Sequence, residues 1–288
     1  MANTIEMAKA YVPMLDTLYK QGSKTATLDV APALVKAGNT AGSFLLPQMT
    51  LTGLGDYSRA AGYAKGEVDF SWVEYAYTQD RGRRFTVDAV DDIETAGQMF
   101  GALSAEFIRL HVIPEIDAYR LAKLAAGAGS GTEGILVTAD DVIEALNAAH
   151  VELLEAEVDA ERMALFISPT MLALAKNAPD SAAKCPVLNE VEVVSVPQSR
   201  LVTGIETDAG AETDEGGWGK ALDAEDVNFI LLDKGAVFSD AKHDVPRVFD
   251  PTTYQDANAW AFDYRIYHDM FILDNKATGV FAHVASAS

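Results

Sequence analysis

Arg81, Arg83 and Arg84 place three guanidinium groups within four positions, the densest cationic cluster in a chain with 22 Lys and Arg against 43 Asp and Glu. Guanidinium forks pair bidentately with carboxylates, and at a formal charge of −21 every further copy of the chain offers carboxylates in excess. The cluster is therefore read as a clamp between subunits in preference to a solvated turn. Other residues able to do chemistry are dispersed. Gly129-Ser130-Gly131-Thr132-Glu133-Gly134 has dinucleotide spacing, but that fingerprint needs a strand before it and a helix opening on it. Here a long helix precedes and an apparent strand, Gly134 to Val137, follows, so the run reads as a helix-ending linker. Cys185 lies in a polar connection beside Lys184, without the base and orienting group that a nucleophilic thiol needs. His111, His150, His243, His268 and His283 include no i, i+4 pair of the kind that holds zinc on a helix. Asp91-Asp92 and Asp140-Asp141 sit at predicted helix starts, where carboxylates cap free N–H groups, and Asp214-Glu215 falls in a solvated loop. The expectation is no catalytic residue, no metal and no cofactor.

The composition narrows the class. A 288-residue chain with 49% hydrophobic and 23% charged residues is globular, and a chain of this size buries roughly 75% of the surface its unfolded form exposes. The acidic balance lacks the clustered Lys and Arg that displace counterions from nucleic-acid phosphates. A single cysteine forms no intrachain disulfide, which fits a reducing compartment. Met1 to Lys20 lacks the basic start and apolar stretch of a signal peptide, and no run reaches the ~20 apolar residues of a membrane span. A soluble protein made in the cytoplasm is expected.

The elements that must position these residues begin with an arm of short amphipathic pieces over the first ~44 residues. Ser43 to Thr52 is strand-like, with Pro47 favouring an edge or irregular position, and four glycines from Gly53 to Gly66 mark a wide loop. Val68, Phe70 and Trp72 alternate with polar residues; the bulky set then shifts to Val73, Tyr75 and Tyr77, a one-residue slip that predicts a β-bulge. Asp80-Arg81-Gly82-Arg83 supplies turn chemistry before Phe85, Val87 and Ala89 resume alternation. The pattern predicts a long β-arm whose aromatic surface must be covered by something else, because hairpins bury too little on their own. Asp91 with Glu94 then opens a long helix carrying Met99, Leu103, Phe107, Leu110 and Ile113 to about Ala126, bent at Pro114. From Leu136 helices and strands alternate: a helix capped by Thr138 or Asp140, a buried strand at Ala164 to Ile167, and a helix from Pro169 to Lys176. Val191 to Thr207 is β-rich, Asp208 to Gly219 is an acidic loop, and Gly235 to Val284 reads as strands with no long helix.

Several runs within this frame resemble one branch of the tailed-bacteriophage major capsid proteins. They are Asp56-Tyr57-x-Arg59-x-x-Gly62-Tyr63-x-x-Gly66, Thr78-Gln79-Asp80-Arg81-Gly82-Arg83 with Phe85-Thr86-Val87-Asp88, Asp92-x-Glu94-Thr95, and Val112-Ile113-Pro114-Glu115-Ile116-Asp117-Ala118-Tyr119-Arg120. The opening Asn3-Thr4-Ile5 is also similar; the motifs cover under half of the chain. The resemblance implies an α+β architecture, the phage capsid (Johnson) fold, with an N-terminal arm over 1–44 and an extended E-loop over 45–90. A peripheral domain with a spine helix would follow over 91–135, an axial α/β domain over 136–234, and return strands of the peripheral domain over 235–288. It implies self-assembly into pentamers and hexamers of an icosahedral shell enclosing double-stranded DNA without specific binding, with no membrane, in a virion assembled in the host bacterial cytoplasm. Phe70, Trp72, Tyr75 and Tyr77, with Arg81, Arg83 and Arg84, are then the expected inter-subunit contacts. The arm leaves no room for the long delta domain of some relatives, so a separate scaffolding protein, or none, is expected beside a portal. Lys65 reads as a solvated tip charge. The alternatives are an encapsulin-like protein compartment and, from another class, a small hydrolase or nucleotide-binding enzyme using Cys185, His243 or His268.

Overall fold

The computed structural model describes residues 22–29, 36–38, 42–59, 62–90, 98–210, 216–244 and 246–286. The predicted cap at Asp91 and Glu94, the pair Asp214-Glu215, the side chains of Met99 and His243, and most of the arm lie outside them. The strands are β1 (Lys36–Ala37), β2 (Ser43–Leu51), β3 (Val68–Ala76), β4 (Gln79–Asp88), β5 (Ser130–Glu133), β6 (Met163–Ile167) and β7 (Glu192–Ser195). They continue as β8 (Ile205–Asp208), β9 (Gly217–Lys220), β10 (Val227–Asp233), β11 (Val237–Asp244), β12 (Arg247–Phe249), β13 (Ala259–Ile272) and β14 (Val280–Val284).

The long helix is a succession of α1 (Gln98–Phe107), a π turn over Ile108–Val112, and α2 (Ile113–Ala126). Pro114 explains the turn. It has no N–H and its ring crowds the carbonyl four residues back, and the helix widens ahead of it, with the Ile113 N–H donating to the Ile108 carbonyl. The distortion expected at the proline is thus displaced into the preceding turn.

A five-stranded sheet in the order β5-β14-β10-β6-β7 forms the centre of the molecule. Every residue of Met163–Ile167 in β6 is buried, because both faces of the sheet are covered. Met163, Leu165 and Ile167 pack with Leu146 and Leu153 of α3 (Ala139–Glu155) and Ala175 of α4 (Pro169–Asn177). Ala164 and Phe166 pack with Leu121 and Leu124 of α2. A strand buried on both sides needs continuous rather than alternating apolar character, which is what its sequence shows. Thr138 starts α3 with a capping box: its hydroxyl accepts from the Asp141 N–H at 3.2 Å, and the Asp141 carboxylate accepts from the Thr138 N–H at 2.8 Å.

The glycine run lies in this sheet. Its strand is Ser130–Glu133, earlier than the predicted Gly134 to Val137, paired in parallel with β14. A Cβ on Gly129 would lie 2.5 Å from the Ala277 backbone, and one on Gly131 would lie 2.5 Å from the Ala282 carbonyl oxygen. The glycines serve close backbone packing.

A second sheet is built on β13, with β4 along one side and β11 and β12 in succession along the other. Here the expected turn at Asp80-Arg81-Gly82-Arg83 is corrected. These residues are mid-strand, in a ladder with β13 that is continuous from Gln79↔His268 to Asp88↔Ala259. Local turn chemistry yields to this long pairing, and Gly82 sits where a Cβ would come within 2.8 Å of the Tyr264 carbonyl oxygen. Phe85, Val87, Phe262, Tyr264 and Ile266 form one face, against Ile108, Val112, Ile113 and Ile116 of the long helix. The pairing changes instead at Tyr77 and Thr78, where β3, paired with β2, gives way to β4, paired with β13.

Candidate assembly interface

The β2–β3 hairpin projects from this second sheet, and its register is unbroken from Ser43↔Ala76 to Leu51↔Val68. The predicted bulge is therefore absent, and the slip in the sequence has another cause. Residues directly opposite in an antiparallel ladder share a face. Near the body, Phe44↔Tyr75 and Leu46↔Val73 make one face apolar, and farther out the same face carries Gln48↔Ser71 and Thr50↔Asp69. The other face does the reverse, with Ser43↔Ala76 and Leu45↔Glu74 near the body, then Pro47↔Trp72, Met49↔Phe70 and Leu51↔Val68. The apolar side changes over halfway along a regular ribbon.

The two halves have different surroundings. Phe44 and Leu46 are buried against Phe238 of β11 and Phe271 of β13, with Tyr75 and Tyr77 packed alongside. Phe44 meets Phe271 edge-to-face at 4.9 Å between centroids. On the distal face Met49 and Phe70 are 55% and 53% exposed, and Leu51 and Val68 are exposed too. Trp72 is half-buried, edge-on to Phe70 and capped by the Lys36 ammonium 3.8 Å from its ring. The loop beyond adds Leu54, fully exposed, and the exposed ring pair Tyr57–Tyr63 at 4.9 Å. Of the four aromatic candidates, Phe70 and Trp72 thus face outward, whereas Tyr75 and Tyr77 pack on their own subunit.

Strand alternation likewise divides the arginine cluster. Arg81 and Arg83 share the helix-facing side of β4 and Arg84 the opposite side. Arg81 Nε donates to Glu115 at 2.6 Å, and its terminal nitrogens donate to the Asp208 and Gly217 carbonyls at 2.7 and 2.9 Å. It holds the β8–β9 hairpin to the long helix. Arg81, Arg83, Phe85, Phe107, His111 and Tyr264 line a cavity of about 440 Å³ between those elements. Arg84 faces solvent, bidentate to the directly opposite Asp263 at 2.5 and 2.6 Å.

The polar residues of Pro114–Arg120 tie β4, the 22–29 segment and β13 to the long helix, a role the sequence did not disclose. Glu115 takes Arg81 of β4. Asp117, wholly buried, accepts from Ser23 Oγ at 2.7 Å, the Lys24 and Thr25 N–H groups at 2.9 and 3.1 Å, and Thr25 Oγ1 at 2.7 Å. Arg200 approaches the same carboxylate at 3.4 Å. Arg120, also buried, pairs with Asp29 at 2.9 Å. Tyr119 donates to Asp269 of β13 at 2.8 Å, and burial raises its phenol pKa. One signal was available: Asp117 and Arg120 fall on the apolar stripe of Ile113, Ile116, Leu121 and Leu124, where a charge without a partner is costly.

The remaining reactive groups are packed away. Cys185 is buried in the core beneath α3, not in a polar connection, and burial raises its thiol pKa, against the nucleophilic thiolate. His268 is pushed down to about 3, first by burial and then by the nearby Arg120 charge, so its imidazole is neutral. His283 is lowered by burial, and its Nδ1 lies 3.1 Å from the Asn228 amide nitrogen. Among the described residues no three His, Cys, Asp or Glu side chains group to hold a metal, and no helix is long and apolar enough to cross a membrane.

No family model and no curated protein matches the sequence. Solved structures match its fold. The asymmetric unit of the bacteriophage PhiM1 mature capsid aligns at 11% identity with a TM-score of 0.60, over 91% of this chain and 92% of that one. The capsid of the cyanophage P-SCSP1u aligns at 15% identity with a TM-score of 0.57, over 90% and 91%. A virus-like particle from Pyrococcus furiosus aligns at 12% identity with a TM-score of 0.56, over 98% and 100%. The chain has the α+β fold of shell-forming capsid subunits. Within that class it shares the fold of tailed-phage capsid proteins over nearly its whole length.

Proposed function

We propose that this chain is the major capsid protein of a tailed phage or prophage, a structural subunit and not an enzyme. It self-assembles into pentamers and hexamers of an icosahedral shell around double-stranded DNA. The observation that carries the reading is the two-faced hairpin: its proximal apolar face is covered by its own subunit, and its distal apolar face is exposed. Apolar area removed from water there contributes on the order of 25 cal/mol per Å².

In this reading 1–44 is the arm, 45–90 the E-loop, 91–135 with 235–288 the peripheral domain, and 136–234 the axial domain around capsomer centres. Phe70 and Trp72 are the aromatic inter-subunit contacts, and Arg84 is the member of the arginine cluster placed to exchange its carboxylate partner for one on a neighbour. Repulsion between the acidic wall and phosphate leaves packaged DNA free to slide. Shells form in the bacterial cytoplasm, with a portal and with or without a separate scaffolding protein.

The full-length alignment with the Pyrococcus furiosus particle favours one second reading, a protein-filled compartment. Sedimentation and negative-stain microscopy of the pure protein, followed by nuclease-protected nucleic-acid analysis of particles from the native host, test both. The expected result is closed shells holding protected double-stranded DNA. Shells holding only protein would support the compartment, and a monomer under every assembly condition would contradict both.

A further inference from the structure

The hairpin joins β4 through two residues, Tyr77 and Thr78, and these are held by two carboxylates. Tyr77 donates its hydroxyl to Asp240 of β11, and its carbonyl accepts from Tyr267 at 3.1 Å. Thr78 donates its N–H at 2.9 Å and its hydroxyl at 2.8 Å to the same oxygen of Asp269. The other oxygen of Asp269 accepts from Tyr119 at 2.8 Å, from the Met270 N–H at 2.7 Å, and from the Lys123 ammonium. With both protons given to Asp269, the Thr78 and Tyr119 hydroxyl oxygens lie side by side, 2.9 Å apart. Asp269 is wholly buried, so one desolvated carboxylate joins the hairpin root, the long helix and β13.

We propose that Asp269, through Thr78 and Tyr119, is the positioning residue that sets the angle at which the hairpin leaves its subunit, and so the curvature of the assembly. The inference rests on the shell reading above. The aromatic cluster of Phe44, Phe238 and Phe271 packs the hairpin base against the body. Such burial is non-directional and tolerates rotation and slippage, whereas hydrogen bonds weaken steeply when bent. Replacing a buried ionic group by an apolar one is often neutral or stabilising, so a carboxylate with five donors fits a role in orientation better than one in stability.

The variant Thr78→Val with Tyr119→Phe keeps shape and removes both hydroxyl hydrogen bonds to Asp269 while leaving it its backbone and Lys123 partners. Amide exchange of the isolated subunit should quicken about tenfold in residues 43–51 and 68–78, with the central sheet unchanged, and assembled particles should lose their single diameter. Phe44→Leu, which loosens the aromatic cluster, should lower the melting temperature yet leave the diameter uniform. Wild-type exchange at the root together with wild-type particles in the double variant would overturn the proposal, as would mixed diameters from Phe44→Leu alone. If the wild-type protein forms no shells, the shell reading fails on its own and the exchange result still decides whether this node orients the hairpin.

Discussion

The near and far halves of the β2–β3 hairpin are continuous in backbone and register, yet their apolar residues lie on opposite faces. Near the body Phe44, Leu46 and Tyr75 lie against Phe238 and Phe271; farther out, Met49, Leu51, Val68 and Phe70 lie exposed on the other side. A ribbon with one buried face would be part of its own domain, and a ribbon with none would be unstable. This one is anchored by its base and unsatisfied at its far end, as a structure completed by another molecule must be.

Substitutions can break this contrast from either side. Met49→Asp with Phe70→Asp places two carboxylates on the distal face of a chain already at −21. Shell formation should be lost altogether, while the subunit loses only about 1 kcal/mol, from the two carboxylates facing each other across the ladder. Light scattering and thermal melting check the two halves of that outcome. Phe44→Ala on the proximal face should do the converse, removing about 3 kcal/mol from the subunit by the usual cost of a buried Phe deletion, read by denaturant unfolding.

Protonation offers a smaller, graded probe of the body behind the hairpin. The His268 pKa is depressed to about 3 in the folded chain, against about 6.5 unfolded. Its contribution is therefore complete above pH 6.5 and declines as pH falls toward 3, because the unfolded state then binds the extra proton. Between pH 7 and 5 this amounts to at most about 2 kcal/mol. His268→Phe should flatten that part of the pH profile of unfolding, and an unchanged slope would deny the depressed pKa. The smallest effect is expected at Arg84, whose pair with Asp263 is half exposed. Arg84→Ala should cost the subunit well under 1 kcal/mol, and a disproportionate loss of assembly would identify it as a contact between copies.

The extent to which the sequence disclosed all this follows from the range of the interactions. The long helix, its end at Ala126, the capped α3 and the buried β6 were legible because periodicity and capping are local. The phase slip at Val73 was visible but ambiguous, since an inserted residue and a change of buried face produce the same pattern. Asp80–Arg83 misled because its turn chemistry is local, whereas the β13 ladder that straightens it lies some 180 residues away. The joints at Asp117 and Asp269 depend on partners 83 to 191 residues distant, and only their place among apolar neighbours hinted at them.

The central claim is that one end of the hairpin is completed within the chain and the other by a second copy. Hydroxyl-radical footprinting of the free subunit and the assembled particle tests it residue by residue. Met49, Phe70 and Trp72 should be oxidised in the subunit and protected in the particle, with Phe44 and Leu46 equally protected in both. Equal oxidation of Met49 and Phe70 in the two states would contradict the account.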